Sequence, residues 1–592
     1  MSGLTAFQIV EEYLLSEFSQ IRFLPATELR KAYPRRRIEM GWELSDNRGD
    51  SEVEDVRLLL PVEFPNCLPR VALPDASKHL VWPHVEVDGV ICLENEGIPV
   101  DANAPINLVR YILQRYSEYR SDILTGDLAG EFSREFVSYW DWAVDESAAK
   151  IVSILNPREN SSIVFLGHSD TGIVIGETKE KVENWLKHRY PEEKIDLDLM
   201  DRALFLRVSS PLIPPYPQSV VDLIRLLANE SPELWRTASE LLELRSGEDR
   251  EFVPAFIVLV SNSSSGAGIV ALSINRRPRV DRGGRKIDTV PAGFRPGKLP
   301  ERVRVLRTWG PGAHYRKHRT RRADRNWIHG RDHNVALDKL AASHVLMLGA
   351  GSLGSGIAVL LAQAGVGKIT IFDPDHLGWE NLSRHALGST YVGYNKAEGL
   401  CEELNRRLPH IEGCVARSEF FSAQNSEHHQ LFESCDIAIS TTGDWNLEAA
   451  IARMQQSGDL AKPIVFSWLE THALAAHAVL FEGNDGILVE GFSSTGDPKF
   501  PVLTWDANQE VPIPACGGQF APYGAVSLAY AQAMSSELVL EYLNFGLPSK
   551  TYCVFIQSAA EIQNIGGKIS DEWKTRFGEP DSAQSIYRYQ WP

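Results

Sequence analysis

An uncharged segment interrupted by glycines limits the possible fold more than any other part of the chain. From His344 to Gly367 there is no Asp, Glu, Lys or Arg, and the length would suffice to cross a bilayer. Six glycines, however, divide this segment into a short apolar strand, a tight turn and a helix. We therefore expect the core of an α/β domain here, with a membrane span as the alternative.

The glycines at the turn have the spacing of a phosphate-binding loop. Gly349, Gly351 and Gly354 follow the apolar strand directly, in G-x-G-x-x-G register, and open the helix. Glycines at these places let the backbone turn tightly and let phosphates approach the N–H groups of the helix N-terminus. The next strand, KITIFD, ends in Asp373, 24 residues after Gly349, where a carboxylate can accept both ribose hydroxyls. These residues predict a nucleotide site and leave ATP and NAD both open.

Polar residues further along favour ATP over NAD. Asp375, Asn381, Arg384 and Lys396 follow closely, and Asp444 ends a later predicted strand. An arginine and a lysine neutralise the phosphates of ATP, an asparagine orients a phosphate oxygen, and a carboxylate at a strand end holds Mg²⁺. A dinucleotide site has no use for these groups, so the sequence favours ATP with Mg²⁺. An NAD-dependent oxidoreductase or a nucleotide-binding scaffold stays open as the alternative.

The segment of about residues 320–560 resembles the adenylating domain of the ubiquitin-activating and ThiF/MoeB superfamily. The resemblance rests on the glycines, the acid after the second strand, an N-x-x-R element, a lysine and a later aspartate. It implies that these residues bind the phosphates, the ribose and the Mg²⁺ of ATP: Gly349, Gly351, Gly354, Asp373, Asn381, Arg384, Lys396 and Asp444. Arg384 and Asp444 are also expected to take part in catalysis. The family's Asp-Asn pair at the metal site is Asp444-Trp445-Asn446 here.

An acyl-adenylate can be captured by a thiolate, and Cys516 is the candidate among the cysteines of this region. It lies in the loop VPIPACGGQF before a long predicted helix, and a helix N-terminus favours the thiolate form. Its position also matches the catalytic cysteine of the superfamily. Four other cysteines lie in or beside predicted helices and strands and are interpreted as packing thiols: Cys401, Cys414, Cys435 and Cys553.

The N-terminal region contains a second candidate thiol. Its segment WPHVEVDGVICL resembles the active-site segment of ubiquitin-conjugating enzymes, in which His-Pro-Asn precedes the cysteine. The distance from His84 to Cys92 equals the family's distance from that asparagine to the cysteine, with Trp82 in place of the family's histidine. The resemblance implies that Cys92 carries a thioester and that His84 donates a hydrogen bond to the oxyanion in place of the asparagine.

Three regions follow from the pattern along the chain: residues 1–145, 146–300 and 301–592. The first predicts a ubiquitin-conjugating-like α+β domain; it closes with the helical patterns NLVRYILQRYSEY and EFSREFVSYWDWAV, and it opens with an amphipathic helix marked by Phe7, Val10, Leu14, Phe18 and Ile21. The second is predicted as an α/β linker domain, and its end, rich in Gly, Pro and Arg, as loops. The third alternates strands and helices, which predicts a mostly parallel Rossmann-like sheet with helices on both faces. The fold class is therefore α/β and α+β multidomain.

Charge and cysteine content disfavour several classes of partner and site. The net charge of −18 opposes binding to nucleic acid and to anionic membranes. Seven irregularly spaced cysteines without a C-x-x-C pair argue against a disulfide framework and a structural zinc site, and are typical of a reducing cytoplasm. The N-terminus is acidic where a signal peptide would be basic.

A basic stretch, HYRKHRTRRADR, precedes the nucleotide-binding region. We interpret it as a solvated linker, because the acidic chain as a whole opposes nucleic-acid binding. In the resembled superfamily, an arginine before the first strand often reaches into the ATP site of the partner subunit. The resemblance thus implies a homodimer in which Arg325 or Arg331 takes this role.

The order of the regions resembles a bacterial fusion found beside cyclic-oligonucleotide synthases (CD-NTases) in CBASS type II anti-phage operons. The resemblance implies that ATP·Mg²⁺ activates the C-terminal carboxylate of a protein modifier, the CD-NTase of the same operon. Cys516 would take the acyl group, pass it to Cys92, and an amine of a target protein would accept it. A sulfur-carrier adenylyltransferase of cofactor biosynthesis is the alternative, but it leaves the first 145 residues unexplained.

Overall fold

A computed structural model divides the chain into two compact units. The first consists of Met1–Ser153, Pro157–Glu177 and Met200–Arg321, and the second of Ile154–Asn156, Thr178–Leu199 and Arg322–Pro592. The residues that the structure describes are 5–18, 20–45, 55–94, 97–169, 172–192, 200–209, 212–230, 232, 236, 255–263, 265–276, 313–411, 413–484, 488–507, 509, 511–512, 519–520 and 522–592. The predicted boundary at residue 145 falls within the first unit, and the one at residue 300 lies outside the described residues. Both boundaries stay predictions.

An antiparallel sheet with helices on both faces opens the first unit. Its elements are α1 (Ala6–Glu17), β1 (Ile21–Phe23), α2 (Ala26–Ala32), β2 (Ile38–Leu44), β3 (Val56–Pro61), β4 (Arg70–Ala72), β5 (Val90–Ile91) and α3 (Pro105–Thr125). The strands pair in chain order. Leu58 of β3 shares a core with Val10 of α1, whereas Leu59 points the other way and shares a core with Leu29 of α2. Alternate residues of one strand therefore hold the helices on opposite faces.

The first predicted helix is shorter than its apolar pattern suggested. Phe18 ends α1 in an extended conformation, with φ −111° and ψ 127°. Ile21, which we expected on the apolar face of the helix, therefore lies in β1. The start of the helix is fixed by a capping box, in which the Thr5 hydroxyl accepts the Gln8 N–H and the Gln8 side chain accepts the Thr5 N–H.

The helical pattern EFSREFVSYWDWAV forms two short helices rather than one. These are α4 (Leu128–Arg134) and α5 (Phe136–Trp142), which separate at Glu135, where the backbone has φ −119° and ψ 26°. The apolar side chains of both helices point to one side and enter a shared core with the strands that follow. These side chains are Phe132, Phe136, Tyr139 and Trp140.

A closed β-barrel follows, which the sequence did not lead us to expect. Its strands are β6 (Lys150–Ser153), β7 (Ser162–Ser169), β8 (Gly172–Gly176), β9 (Asp201–Val208), β10 (Ala255–Ser263), β11 (Gly266–Arg276) and β12 (Ala313–Arg322). They close in the order β10-β11-β12-β6-β8-β7-β9. The helices α6 (Lys179–Arg189) and α7 (Val220–Glu230) come between these strands in the chain. Most of the Gly/Pro/Arg-rich stretch predicted as loops lies outside the described residues.

The basic stretch before the nucleotide-binding region is a barrel strand, so its interpretation as a solvated linker is wrong. In β12, Lys317, His318 and Thr320 are buried, whereas Arg316 and Arg319 are exposed. The strand therefore presents Arg316, Arg319 and Arg321 to solvent and packs the residues between them, whereas the side chain of Arg322 at its end is buried and pairs with Asp324 and Asp332. Burial lowers the pKa of His318, and Ser273 of β11 lies 2.8 Å from its Nε2 atom.

The second unit contains a sheet of mixed direction with helices around it. Its helices are α8 (Arg325–Ile328), α9 (Leu337–Ala342), α10 (Ser352–Ala364), α11 (Lys396–Arg407), α12 (Ser426–Ser434), α13 (Trp445–Ser457), α14 (Ala525–Phe545), α15 (Ala559–Ile565) and α16 (Asp571–Phe577). Its strands are β13 (His344–Leu348), β14 (Lys368–Phe372), β15 (Gly413–Arg417), β16 (Ile437–Ser440), β17 (Ile464–Leu469), β18 (Ala475–Phe481), β19 (Leu503–Trp505), β20 (Val511–Pro512), β21 (Gln519–Phe520), β22 (Thr551–Ile556), β23 (Gly567–Ile569) and β24 (Ser585–Gln590).

The main sheet of this unit has the order β15-β14-β13-β16-β17-β18-β22-β24. The strands from β15 to β17 run parallel, as the alternation of strands and helices predicted, and β18, β22 and β24 continue antiparallel. In β13, Val345 and Met347 enter one core while Leu346 and Leu348 enter the other. Both faces of this strand are covered, which explains its unbroken apolar sequence.

Two of the predicted packing thiols are joined to each other. The structure pairs Cys401 of α11 with Cys414 of β15 as a disulfide, so the prediction of two separate thiols is wrong for this pair. The side chain of Asn405 bonds the backbone of Cys414 and holds the helix against the strand, which brings the two Cα atoms within 4.9 Å. Cys435 and Cys553 are buried, as predicted. Among the described helices, none combines the length and the apolar character needed to cross a membrane.

Candidate active sites

The turn between β13 and α10 needs glycine for two different reasons. Gly349 has a φ of +95°, which favours glycine, and a Cβ atom at Gly354 would overlap the Gly349 carbonyl oxygen and lie 2.5 Å from the Thr441 hydroxyl. A Cβ atom at Gly351 would meet nothing within 4 Å. Within the described residues no side chain caps α10, which leaves the first N–H groups of the helix available. That arrangement suits an incoming phosphate.

Asp373 fixes this turn to the end of β14. Its side chain is 6% exposed, and its two oxygens accept the backbone N–H groups of Ala350 at 2.7 Å and of Asp375 at 2.8 Å. A carboxylate oxygen can accept more than one hydrogen bond, so both oxygens keep capacity for ribose hydroxyls. The predicted role of Asp373 is therefore compatible with the bonds that it already makes.

His385 was not predicted as a site residue, although its neighbour Arg384 was. The Leu387 N–H donates to Nδ1 of His385 at 3.1 Å, so the proton is on Nε2, which donates to the Ala350 carbonyl at 2.7 Å. Burial lowers the pKa of His385, which keeps this neutral tautomer. The histidine thereby ties the N-x-x-R segment to the glycine turn, and its place beside Arg384 was the only signal of this in the sequence.

The predicted phosphate-binding groups gather around the same turn. The Arg384 guanidinium lies 4.8 Å from the centre of the Tyr523 ring, and the Tyr523 hydroxyl lies 2.6 Å from the Ser352 hydroxyl at the start of α10. Lys396 begins α11, and its ammonium donates to a carboxylate oxygen of Asp375 at 3.0 Å. Two cations are thus brought to the turn that the glycines form.

Asn381 is used partly by the local backbone. Its side-chain oxygen accepts the Gly378 N–H at 2.9 Å, at the start of a short 3₁₀ turn. The amide NH₂ group, a donor, is the part of the side chain suited to a phosphate oxygen.

Asp444 caps α13 at the carboxyl end of β16. Its Oδ1 atom accepts the N–H groups of Asn446 at 2.9 Å and of Leu447 at 3.4 Å, and Thr441, three residues earlier, donates to the Gly349 carbonyl at 3.1 Å. The second oxygen, Oδ2, is the atom suited to a cation. Among the described residues no group of three or more His, Cys, Asp or Glu forms a metal site. Mg²⁺ held here would complete its shell with phosphate and water oxygens, as Mg²⁺ usually does.

The loop of Cys516 lies outside the described residues, so its predicted position just before a helix is untested. The described part of the loop includes Pro512 in β20, which pairs with β21, and the long helix α14 begins at Ala525. Tyr523, which contacts Arg384, therefore follows the cysteine by seven residues in the chain.

Cys92 lies in a cleft of about 600 Å³ in the first unit. Its thiol is exposed, and its sulfur lies 3.8 Å from the Glu94 carbonyl oxygen. The buried thiols differ: burial raises the pKa of Cys435 to about 12 and also raises that of Cys553. An accessible thiol in a cleft is the form that thioester chemistry needs.

His84 lies beside Cys92 in a fixed backbone conformation. Its φ is +64°, its N–H donates to the Tyr139 hydroxyl at 3.0 Å, and its carbonyl accepts the Cys92 N–H at 2.9 Å. Its ring nitrogens lie 3.6 Å from a Glu131 oxygen and 3.7 Å from a Glu135 oxygen. Tyr139 and both glutamates were not predicted as site residues, since nothing in the sequence linked α4 and α5 to the cysteine.

The arginines predicted to reach a partner subunit both make contacts within this chain. Arg325 of α8 donates to the Ala341 carbonyl at 3.3 Å, and the Arg331 guanidinium lies 5.6 Å from the centre of the Trp327 ring. Their role in a homodimer stays a prediction.

Comparisons with known proteins match two separate parts of the chain. The prokaryotic E2 family B matches residues 16–149, and the ThiF family matches residues 325–493. The "ATP-dependent ubiquitin transferase-like protein Cap2" of Pseudomonas aeruginosa is 24% identical over 505 residues, covering 81% of this chain and 83% of that protein. A Cap2 protein of Enterobacter hormaechei is 42% identical over 118 residues, 19% of each chain.

Part of the chain is also similar to a protein named as an adenylyltransferase and sulfurtransferase. The "Adenylyltransferase and sulfurtransferase UBA4" of Kluyveromyces lactis is 34% identical over 131 residues, 22% of this chain and 28% of that protein. The predicted α/β multidomain fold class is confirmed by the two family matches. The chain is a fusion of a prokaryotic E2-like domain with a ThiF-type E1-like domain, and it is therefore a ligase enzyme that is both ubiquitin-activating-like and ubiquitin-conjugating-like.

Proposed function

We propose that this protein activates the C-terminal carboxylate of a protein modifier with ATP and ligates it to an amine through two of its own cysteines. The carboxylate attacks the α-phosphorus of ATP and pyrophosphate leaves. The Cys516 thiolate then attacks the acyl carbon and AMP leaves. The Cys92 thiolate displaces Cys516, and an amine nitrogen displaces Cys92 with loss of a proton.

The observation that carries this proposal is the presence of both sites in one chain. One is the glycine turn with Asp373, Arg384 and Lys396 around it, and the other is the exposed thiol of Cys92 in its cleft. An enzyme that only adenylates its substrate has no use for a second, conjugating-type thiol. Fusion in one chain raises the effective concentration of each thiol toward the other, so that a weak encounter suffices.

The nucleotide site would work through charge and position. Asp373 would hold the ribose, while Arg384, Lys396 and the N–H groups of α10 would neutralise the phosphates. Mg²⁺ bound at Asp444 would supply further charge neutralisation for the departing pyrophosphate. Asp375 would keep Lys396 directed at the site, since their side chains are already paired at 3.0 Å.

We further propose the biological setting that the fusion architecture suggests. The modifier is the CD-NTase of the same operon, the acceptor is a lysine of a target protein, and the reaction serves CBASS anti-phage defence in the cytoplasm. The similarity to Cap2 over 81% of this chain supports this setting. A homodimer, with Arg325 or Arg331 near the partner's ATP site, belongs to the same proposal.

The relay is tested by mixing the purified chain with ATP, Mg²⁺ and the CD-NTase of its operon and measuring intact mass. We expect a thiol-sensitive adduct that disappears with Cys516→Ala and is retained on Cys516 with Cys92→Ala. Cys553→Ala, at a buried thiol, is the matched control and should keep the adduct. An adduct that survives Cys516→Ala would contradict the order of the relay.

The metal assignment predicts a different result for Asp444→Asn. Asparagine keeps the oxygen that caps α13 but removes the negative charge, so the helix should remain and ATP–pyrophosphate exchange should fall about 100-fold or more. Asp459→Asn, at an exposed carboxylate of the same unit, is the control. Unchanged exchange in Asp444→Asn would rule out Asp444 as the Mg²⁺ ligand.

A second candidate function is adenylation of a sulfur carrier, which the similarity of the ThiF part to the Kluyveromyces lactis adenylyltransferase and sulfurtransferase favours. It predicts pyrophosphate exchange with a sulfur-carrier protein and no acyl transfer to Cys92. The mass measurement above separates the two functions.

A further inference from the structure

The helices α4 and α5 place two carboxylates against the ring of His84. We infer that Glu131 and Glu135 are positioning residues that make His84 the proton acceptor for the amine attacking the Cys92 thioester. We infer also that the barrel serves to hold these helices at the cleft. The inference rests on the proposed thioester function of Cys92, and it gives the middle region of the chain a role.

The surroundings of the ring favour a proton acceptor over an oxyanion donor. Nε2 of His84 lies 3.6 Å from Glu131 and Nδ1 lies 3.7 Å from Glu135. An oxyanion at either nitrogen would be repelled by the adjacent carboxylate. A carboxylate beside an imidazole instead stabilises the imidazolium that forms when the ring accepts a proton, and it fixes the orientation of the ring. Arg134 pairs with Glu131 at 2.6 Å and keeps that carboxylate in place.

The backbone of His84 is also fixed relative to Cys92. The left-handed conformation of His84 is held on one side by the Tyr139 hydroxyl, which accepts its N–H, and on the other by the Cys92 N–H, which donates to its carbonyl. The rings of Tyr119 and Tyr139 each have their centres 6.4 Å from the imidazole centre. The residue that would take the proton is therefore tied through its backbone to the residue that would carry the acyl group.

The opposite sides of α4 and α5 are anchored in the barrel core. Phe132 and Phe136 share a core with Leu206 of β9 and Leu272 of β11. The indole N–H of Trp140 donates to a carbonyl of β12 at 3.1 Å. The barrel packs closely against α5. A Cβ atom at Gly268 would overlap the Phe136 ring and lie 2.6 Å from a methyl group of Val137. The barrel therefore fixes the positions of Glu131 and Glu135.

The transfer of the acyl group from Cys92 to the amine needs no chemical group beyond these. The amine nitrogen forms a bond to the acyl carbon, the carbon–sulfur bond breaks, and the electron pair leaves on the Cys92 sulfur. His84 takes the proton from the nitrogen and later releases it to water. Glu131 and Glu135 stay unchanged in covalent structure and stabilise the cation in between.

The test avoids any need for the natural modifier. The full chain with Cys516→Ala is charged with a short peptide thioester of 2-mercaptoethanesulfonate, and intact mass follows acylation of Cys92 and its discharge to free lysine. The variants are His84→Asn and the pair Glu131→Gln with Glu135→Gln, with Glu146→Gln, an exposed carboxylate paired with Arg35, as control. We expect lysine discharge to fall about 100-fold in His84→Asn and about tenfold or more in the glutamine pair. Charging of Cys92 should be unchanged in all of them.

Two further measurements separate this role from others. Hydroxylamine attacks thioesters without the help of a base, so its discharge rate should be nearly the same in every variant. Gly268→Ala, which pushes on Phe136 from the barrel, should lower lysine discharge and leave hydroxylamine discharge unchanged. A normal lysine rate in His84→Asn would show that His84 donates to the oxyanion, as the family's asparagine does, and would overturn the inference.

A normal lysine rate in the glutamine pair would overturn the positioning role of the two glutamates. Equal loss with both nucleophiles would also contradict it, because it would indicate a damaged cleft rather than a lost base. If the chain that carries only Cys516→Ala fails to acylate Cys92, the proposed thioester function itself fails. This outcome is distinct from the others.

Discussion

Replacing Gly354 with alanine should abolish ATP binding and destabilise the ThiF domain by about 1–3 kcal/mol. The new methyl group would overlap the Gly349 carbonyl oxygen and press on the Thr441 hydroxyl at 2.5 Å. Because Gly349 sits at a φ of +95°, the turn has no easy way to open. Calorimetry with ATP and Mg²⁺ and thermal unfolding of the full chain measure the two effects.

Two other glycines supply the comparisons, Gly351 for the effect on stability and Gly388 for both effects. At Gly351 an added Cβ atom meets nothing within 4 Å, so Gly351→Ala should leave the melting temperature unchanged and still weaken ATP binding by about tenfold, by filling the space that a phosphate would enter. At Gly388 there is also nothing within 4 Å, and Gly388→Ala should change neither quantity. ATP binding of normal strength in both Gly351→Ala and Gly354→Ala would contradict a phosphate site at this turn.

The ThiF domain should also lose stability as the pH falls below neutrality, through a pair of histidines. Nδ1 of His329 is 3.0 Å from the Gln363 carbonyl and therefore carries the proton, so its Nε2 accepts from Nε2 of His410 at 2.7 Å. Burial and the charge of Arg325 lower the pKa of both rings, and together with the neighbouring His329 they bring the pKa of His410 to about 3. The bond between the rings requires both to be neutral.

The direction of the pH effect follows from linkage. In the unfolded chain each histidine takes up a proton near pH 6.5, whereas the folded pair stays neutral to a lower pH. The stabilisation is therefore complete above pH 6.5 and is lost as the pH falls from 6.5 towards 3, by up to about 1.4 kcal/mol per pH unit for each ring. We expect hydrogen exchange around Gln363 and Ile411 to accelerate between pH 7.5 and 5, after correction for intrinsic rates.

A double variant of the histidine pair tests this effect. In His329→Gln with His410→Gln the difference in exchange between the two pH values should largely vanish, whereas His333→Gln, at an exposed histidine of the same segment, should behave like the unchanged chain. If the double variant shows the same pH difference as the unchanged chain, the pair does not control the acid sensitivity of this domain.

The second unit was predictable because its signals are local. Apart from His344 the strand β13 is apolar, its turn is marked by glycines, and α10 follows at once, so strand, turn and helix occur in the predicted order. Asp373 could be identified for the same reason, since its place at the end of β14 is a matter of spacing along the chain. His385 could not, because its bond to the Ala350 carbonyl joins segments 35 residues apart.

The barrel and the cleft at Cys92 depend on contacts that spacing does not reveal. The strands β9 and β10 pair in parallel, which spacing along the chain does not indicate. The strand β12 carries so many basic residues that the sequence was interpreted as a linker, and its alternation of buried and exposed side chains was not recognised. Tyr139 reaches His84 across 55 residues of chain. Its helix showed only a periodic apolar face, which predicted burial but not the partner that it would be buried against.

The closed barrel has a consequence for the order in which the parts of the chain mature during synthesis. The ring of strands is completed by β12, which ends directly before the ThiF domain begins. Until that strand has left the ribosome, β6 and β11 lack the strand that joins them and the indole N–H of Trp140 lacks the β12 carbonyl to which it donates, and unpaired strand edges of this kind promote aggregation. A chain interrupted before β12 would therefore carry its conjugating thiol beside an incomplete barrel. Only a protein translated as far as its activating domain would present a finished acceptor cleft.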